Sequence, residues 1–148
     1  PVGIFEINGA DRTLLAITGA HSKAVLQFTP GQHTLMANHS GMIAHYLDIN
    51  VEAGKRYYVL LRFIYAQGFQ LRPIRPNGPS DYSVLNKKFP NWVSSTKYVE
   101  KTADGDAFFT TNAEAVTKSQ TKGWEDWLAK TQEQRNELTL NVNDNIPN

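Results

Sequence analysis

Apolar and polar residues alternate through the first half of the chain, and turn residues interrupt them about every eight to twelve positions, as in short antiparallel strands. The turn signals are Asn8-Gly9, Thr18-Gly19, Pro30-Gly31, Ser40-Gly41, Ala53-Gly54 and Gln67-Gly68. Between them the pattern predicts strands near residues 2–8, 12–18, 23–28, 32–38, 43–51, 56–66 and 69–75. We therefore expect a mainly β fold, an antiparallel β-sandwich of about seven strands.

Two predicted strands differ in how they are buried. In 43–51 the two faces carry Ile43, Leu47, Ile49 and Val51 against Ala44, Tyr46, Asp48 and Asn50. We expect the first face to be buried and the second to face solvent. The stretch from Tyr57 to Tyr65 is apolar apart from Arg62, so we expect this strand at the centre, covered on both faces.

Helical spacing replaces the turn rhythm after Pro76. Ser80 can cap a short helix that Pro90 would end, and Trp92 would follow in irregular chain. Beyond a loop at 104–106, Asn112 can cap a long amphipathic helix over about 112–138. We therefore expect a β-sandwich domain over 1–76 and a C-terminal α-helical extension within 77–148, which packs on the sandwich or on a partner.

Composition excludes several function classes. The 148 residues hold 15 Lys+Arg and 14 Asp+Glu, a net charge of +1, so charge alone would not hold nucleic acid or an anionic membrane. The chain has no Cys, which excludes disulfides, thiolate nucleophiles and Cys-ligated metals. The first residue is Pro1, and we expect a processed chain whose signal peptide or lipidated cysteine would precede it.

The residues that could carry catalysis or bind metal form no recognised motif. His33, His39 and His45 are spaced by six, but a hairpin would separate His33 from His45 by about 10 Å, too far for one zinc ion. The sequence lacks a Gly-x-Ser-x-Gly elbow and a phosphate-binding glycine loop. We therefore predict no catalytic residues, no metal and no cofactor.

The tryptophans are the strongest candidates for a binding surface. Trp124 and Trp127 share a helix face with Leu128, which favours packing on the sheet or on a partner chain. Trp92 is the one we expect to be exposed. We predict partner binding through Trp92, Trp124, Trp127 and Leu128. An exposed patch at Trp124 and Trp127 would favour a protein partner, whereas a groove with Trp92 beside an Asp or Arg would favour sugar.

Residues 28–75 also contain three spaced motifs. They are Phe28-x-Pro30-Gly31-x-His33-x-Leu35, Val51-x-Ala53-Gly54-Lys55-x-Tyr57-Tyr58-Val59 and Leu71-x-Pro73. This pattern resembles the DUF2846 and PEGA-like domains of bacterial envelope proteins and lipoproteins. The resemblance implies a small β-sandwich without established catalytic residues, in the periplasm or at the outer membrane.

We accordingly expect a non-enzymatic structural or protein-interaction module of the bacterial cell envelope, such as a lipoprotein subunit of a larger secretion or surface assembly. Its partners would be other envelope proteins or copies of itself, without nucleic acid. Membrane contact would come only through a lipid anchor that is not present in this chain. The alternative is a glycan- or peptidoglycan-binding β-sandwich module that uses Trp92 or Tyr82.

Overall fold

The computed structural model describes residues 1–78 and 81–147. Strands make up 34% and helices about 29%, which confirms a mainly β chain with helices in its C-terminal part. The strands are β1 (Val2–Asn8), β2 (Asp11–Thr18), β3 (Ser22–Lys23), β4 (Gly31–Asn38), β5 (His45–Val51), β6 (Val59–Ile64), β7 (Gly68–Pro73), β8 (Lys97–Tyr98) and β9 (Thr139–Leu140). The helices are α1 (Phe89–Ser95), α2 (Ala103–Thr111), α3 (Ala113–Ala129), α4 (Gln132–Glu137) and a 3-10 turn at Val142–Asp144.

The main sheet has five strands in the order β2-β1-β4-β5-β9. The first four strands pair antiparallel, whereas β9 runs parallel to β5. A second pair, β3 with β8, is also parallel. The purely antiparallel arrangement expected from the sequence is therefore wrong, because two very short strands from the C-terminal half join the β-rich half.

A hairpin covers one face of the main sheet. Strands β6 and β7 pair only with each other among the described strands, and Leu61, Phe69 and Leu71 of this hairpin pack on the sheet. The buried residues of this core are Val2, Ile4, Ala16, Leu35, Ala37, Leu47, Ile49, Val51, Leu71 and Leu140. The second layer is thus a two-stranded hairpin with flanking coil, and the predicted seven-strand sandwich is not confirmed.

Helices α2 and α3 cover the opposite face. The buried residues of this second core are Phe5, Met36, Ala44, Tyr46, Phe109, Val116, Trp127 and Leu138. The expectation that Ala44 and Tyr46 face solvent is wrong, because they are only 0% and 3% exposed beneath the helices. Alternation in β5 shows which residues share a face, but both faces are buried here.

Strand β6 is not a central strand. It pairs with β7 alone, and its Val59 and Phe63 are 39% and 51% exposed. The expectation of burial on both faces is therefore wrong. Alternation along β6 instead places Leu61 against the sheet. The adjacent side chains of Leu60 and Arg62 lie on the outside of the hairpin.

The helical half also departs from the predicted pattern. Pro90 lies in the first turn of α1 and does not end a helix, because its missing N–H would have no partner there in any case. Ser80, the predicted cap, lies outside the described residues. The predicted loop at 104–106 belongs to α2, whose first turn is capped by the Thr102 hydroxyl.

The single helix predicted over 112–138 is two helices, α3 and α4. They are separated at Lys130 and Thr131, both of which have extended backbones. Thr131 forms a capping box with Gln134 at the start of α4, and this cap stabilises a new helix start. In the described part of the chain, the helices are too short or too polar to cross a bilayer.

The close approach of α3 to the sheet depends on Gly123. A Cβ atom at this position would lie 2.1 Å from the carbonyl oxygen of Ala44, and the Ala44 N–H donates to the Ser119 carbonyl at 3.2 Å. Replacement of Gly123 by a larger residue must therefore move the helix backbone away from the sheet.

We predict that Gly123→Ala lowers the free energy of unfolding by about 2 kcal/mol, as overpacking at a backbone contact does, although alanine favours helix by about 1 kcal/mol. Urea denaturation followed by circular dichroism measures the change. Gly19→Ala is the matched control, because a Cβ there meets nothing within 4 Å. Equal stability of the Gly123→Ala variant and the wild type would contradict the predicted overlap.

Candidate functional site

A groove of about 680 Å³ lies between the outside of the β6–β7 hairpin and the segment 81–92. We call it the Trp92 groove. Its lining residues are Leu60, Arg62, Asp81, Tyr82, Leu85, Asn86, Lys87, Lys88 and Trp92. Aromatic, aliphatic, charged and amide side chains thus meet in one open groove, and polar groups that converge beside apolar ones are a feature of ligand sites.

The alternation of β6 and β7 builds the floor of the groove. Leu61 and Leu71 point toward the sheet and pack in its core, so Leu60 and Arg62 lie on the opposite side of the hairpin. Arg62 pairs with Gln70 across the hairpin. One face of the hairpin therefore packs in the core and the other face forms the floor of the groove. Packing in the core thus fixes the position of that floor.

Local hydrogen bonds hold the wall formed by residues 81–92. The Asn86 amide donates to the Asp81 carbonyl at 2.7 Å, and the Lys88 N–H donates to the Asn86 side-chain oxygen at 2.8 Å. Phe89, at the start of α1, contacts the Tyr58 ring edge-to-face at 5.4 Å between centroids. These contacts fix the helix that carries Trp92 against the hairpin.

Arg62 is held on two sides. Its Nε donates to Gln70 Oε1 at 3.0 Å, and its Nη1 donates to the Tyr82 hydroxyl. The Arg72 guanidinium lies over the Tyr82 ring, 4.0 Å from its centroid, and burial lowers the pKa of Arg72. Tyr82 therefore lies between two arginines, and the guanidinium of Arg62 is fixed in place within the groove.

The lining of the groove is positively charged. Arg62, Lys87 and Lys88 contribute three cations against the one carboxylate of Asp81, counting the described lining residues. The whole chain carries only +1. Positive charge is thus concentrated at this place, although the composition of the chain is nearly balanced.

The structure separates the four residues predicted to bind a partner. Trp92 lines the groove, and Trp127 is buried in the second core at 7% exposure. Trp124 and Leu128 lie on the outside of α3 at 45% and 55% exposure, where Trp124 contacts the Tyr46 ring at 5.4 Å. The four residues therefore do not form one surface.

Sequence reasoning did not identify Arg62 as part of this site. It lies 20 residues from Tyr82, its hydrogen-bond partner, and 30 residues from Trp92 on the opposite wall, so no local spacing joins them. One signal was present: Arg62 is the single charge in an otherwise apolar stretch. A charge in such a strand indicates that one side of the strand faces a polar environment.

A second groove, of about 450 Å³, lies between the turn at 40–43 and α3. Its lining residues are Ser40, Gly41, Met42, Ile43, Ala66, Ala115, Lys118, Ser119 and Lys122. It contains two lysines but no aromatic ring among the described residues that line it. The Trp92 groove is the better candidate site, because it alone offers both a flat apolar surface and fixed polar groups.

The histidines lie in separate environments. His45 pairs with Ala37 on the neighbouring strand, and its Nε2 donates to the Gln67 carbonyl at 2.6 Å. Burial lowers the pKa of His45, so the ring is neutral near pH 7. His39 bonds the Pro1 carbonyl at 2.9 Å. Among the residues at 1–78 and 81–147, no three metal-binding side chains come together.

His33 lies between two hydrogen-bond acceptors. Its ring nitrogens lie 2.8 Å from a Glu6 carboxylate oxygen and 2.7 Å from the Thr29 carbonyl oxygen. This arrangement favours the protonated ring, in which both nitrogens are donors. Burial is the largest influence and opposes the charge, but the bonds to Glu6 and Thr29 together outweigh it and raise the pKa of His33 above its usual 6.5.

We predict that His33 stabilises the fold most fully below pH 6.5, its usual pKa, and that this contribution is lost as the pH rises through the raised pKa. Urea denaturation of the wild type and His33→Gln from pH 5 to pH 9 tests this. The stability difference between them should be larger at pH 5. A pH-independent difference would show that the charged pair with Glu6 does not form.

Comparisons with known proteins do not place the chain in a family. No family model, no curated protein and no solved structure matches it. The resemblance of residues 28–75 to the DUF2846 and PEGA-like domains therefore stays a prediction. The function has to be argued from the side chains of the Trp92 groove.

Proposed function

We propose that this protein is a non-enzymatic glycan-binding module of the bacterial cell envelope. The observation that carries the proposal is the Trp92 groove, where an indole lies beside Asp81, Asn86 and Arg62. The C–H face of a sugar ring packs on an aromatic ring, and its hydroxyls need donors and acceptors at the edge of that ring. The groove offers both.

Size and rigidity support the proposal. A volume of about 680 Å³ lies within the usual range of ligand sites, roughly 300 to 1,000 Å³, and is enough for a short oligosaccharide. The floor belongs to the β6–β7 hairpin, which packs on the five-stranded sheet. We propose that these two layers form a small β-sandwich whose second sheet is the two-stranded hairpin. Fixed walls lower the entropy lost on binding.

A binding role fits the charges of the groove better than hydrolysis does. Glycoside hydrolysis usually needs two carboxyl groups on either side of the scissile bond. Asp81 is the one carboxylate among the described residues that line the groove. This count favours a module that holds a glycan without cleaving it.

The envelope location and the choice of peptidoglycan rest on the resemblance of residues 28–75 to envelope domains. Peptidoglycan is a glycan of that compartment. The probes for the test are therefore the disaccharide N-acetylglucosaminyl-N-acetylmuramic acid and N,N′-diacetylchitobiose, which has similar N-acetylated rings but no carboxylate.

We predict that the wild type binds the muramic acid disaccharide and that Trp92→Ala weakens this binding at least tenfold, about 1.4 kcal/mol. Isothermal titration calorimetry measures both affinities. Trp124→Ala is the matched control, because it removes an exposed indole that does not line the groove. Absence of wild-type binding to both sugars would refute the choice of peptidoglycan, and equal weakening by both substitutions would refute the proposed site.

Protein interaction is the second candidate function, and the exposed side chains of Trp124 and Leu128 favour it. A whole aromatic side chain can bury 150–250 Å², and about half of each of these two side chains is exposed. Together they therefore offer on the order of 200 Å² of apolar area. A stable interface buries about 800 Å² on each partner. The patch could therefore be only the centre of a larger contact, and this function ranks second.

If copies of the chain associate through this patch, sedimentation equilibrium at 5 to 200 µM should show a mass that rises with concentration. Trp124→Ala should then return the protein to a monomer, whereas Trp92→Ala should leave the association unchanged. A wild type that stays monomeric over this range would exclude self-association through α3.

A further inference from the structure

We propose that the Trp92 groove selects anionic glycans and that Arg62 binds a carboxylate of the ligand. This inference rests on the proposed glycan-binding function and deepens it by naming the chemical class of the sugar. It also assigns to one side chain the choice between acidic and neutral sugars.

Arg62 is already oriented before a ligand arrives. A guanidinium has five N–H donors, and in Arg62 the Nε donor and one Nη1 donor are used by Gln70 and Tyr82. Gln70 is itself 7% exposed and fixed in β7. The remaining donors and the full charge belong to a side chain that lines the groove, and little rotamer freedom is left to lose on binding.

Arg62 has no direct ion-pair partner among the described residues. Its side-chain partners Gln70 and Tyr82 are amide and hydroxyl acceptors, and the salt bridges of the described residues join other groups. The nearby Arg72 is paired with Glu137 at 3.7 Å. Asp81 is the one carboxylate among the described lining residues, and it forms none of these salt bridges. An arriving carboxylate would therefore meet a cation that is in no direct ion pair.

A carboxylate fits this site better than a hydroxyl does. Hydrogen bonds between a guanidinium and a carboxylate are roughly twice as strong as neutral ones and can form in parallel pairs. A neutral sugar would remove part of the Arg62 guanidinium from water without supplying an opposite charge. This desolvation of the cation would lower the free energy gained on binding. Lys87 and Lys88 are exposed, so they attract an anion through a field that salt weakens.

Two matched ligand pairs test the proposal. The first is the muramic acid disaccharide and its methyl ester, and the second is trigalacturonic acid and its trimethyl ester. Each ester keeps the sugar rings and removes the charge. Titration calorimetry of the wild type should show the acid bound at least tenfold tighter than the ester in one pair, with a smaller ratio in 300 mM than in 50 mM salt. The pair that shows the preference identifies the source of the carboxylate.

Variants assign the preference to Arg62. Arg62→Gln should remove the difference between acid and ester, because glutamine can still donate a hydrogen bond but carries no charge. Arg62→Lys keeps the charge but loses the planar fork, so it should keep part of the preference. Lys122→Gln is the charge-matched control, since Lys122 lies outside the Trp92 groove. Circular dichroism melting checks that each variant is folded.

The outcomes separate the two proposals. Equal binding of acid and ester in both pairs, with binding still lost in Trp92→Ala, would overturn the anionic selectivity and leave the glycan-binding function standing. A preference that survives in Arg62→Gln, or that falls equally in Lys122→Gln, would overturn the role of Arg62. Binding of none of the four ligands would reject both proposals.

Discussion

The structure depends on a five-stranded sheet that is apolar on both faces. Leu35 and Leu47 point to one side, and Phe5, Met36 and Tyr46 point to the other. Neither face can remain in water, because each fully exposed side chain of this size would cost about 1.5 to 3 kcal/mol. The chain must therefore supply two separate covers, and it does so with the β6–β7 hairpin on one side and helices α2 and α3 on the other.

The candidate site is a consequence of the first cover. A two-stranded hairpin has two faces, and only one of them can pack on the sheet. The other face carries Arg62 and Gln70, and the chain returns over it through Tyr82 and Trp92. A wider second sheet would have given the hairpin neighbours on both edges. The β6–β7 hairpin pairs with no other described strand, and its outer face is a polar, concave surface on a rigid support.

The strand predicted over 23–28 is wrong beyond Lys23, where the chain is coil. Local patterns predicted the other six strands well, because a turn with Asn-Gly or Pro-Gly and an alternating run are both encoded within about ten residues. They could not predict what covers Tyr46, since alternation distinguishes two faces without showing which face meets a helix over 60 residues away. The break at Thr131 was missed for a different reason. The hydrogen bonds of the capping box between Thr131 and Gln134 compete with continuation of the helix. The spacing of apolar residues does not show such hydrogen bonds.

The charge of the site was hidden in a similar way. A net charge of +1 predicts little long-range attraction of a long polyanion, because such attraction follows the whole charge distribution. Salt screens charges beyond a Debye length of about 8 Å, so a small ligand responds mainly to nearby groups. Among the described residues that line the groove, Arg62, Lys87 and Lys88 outnumber Asp81. A short anionic ligand meets only this local field. A nearly neutral chain can therefore be a poor partner for nucleic acid and still hold a site for a small acidic molecule.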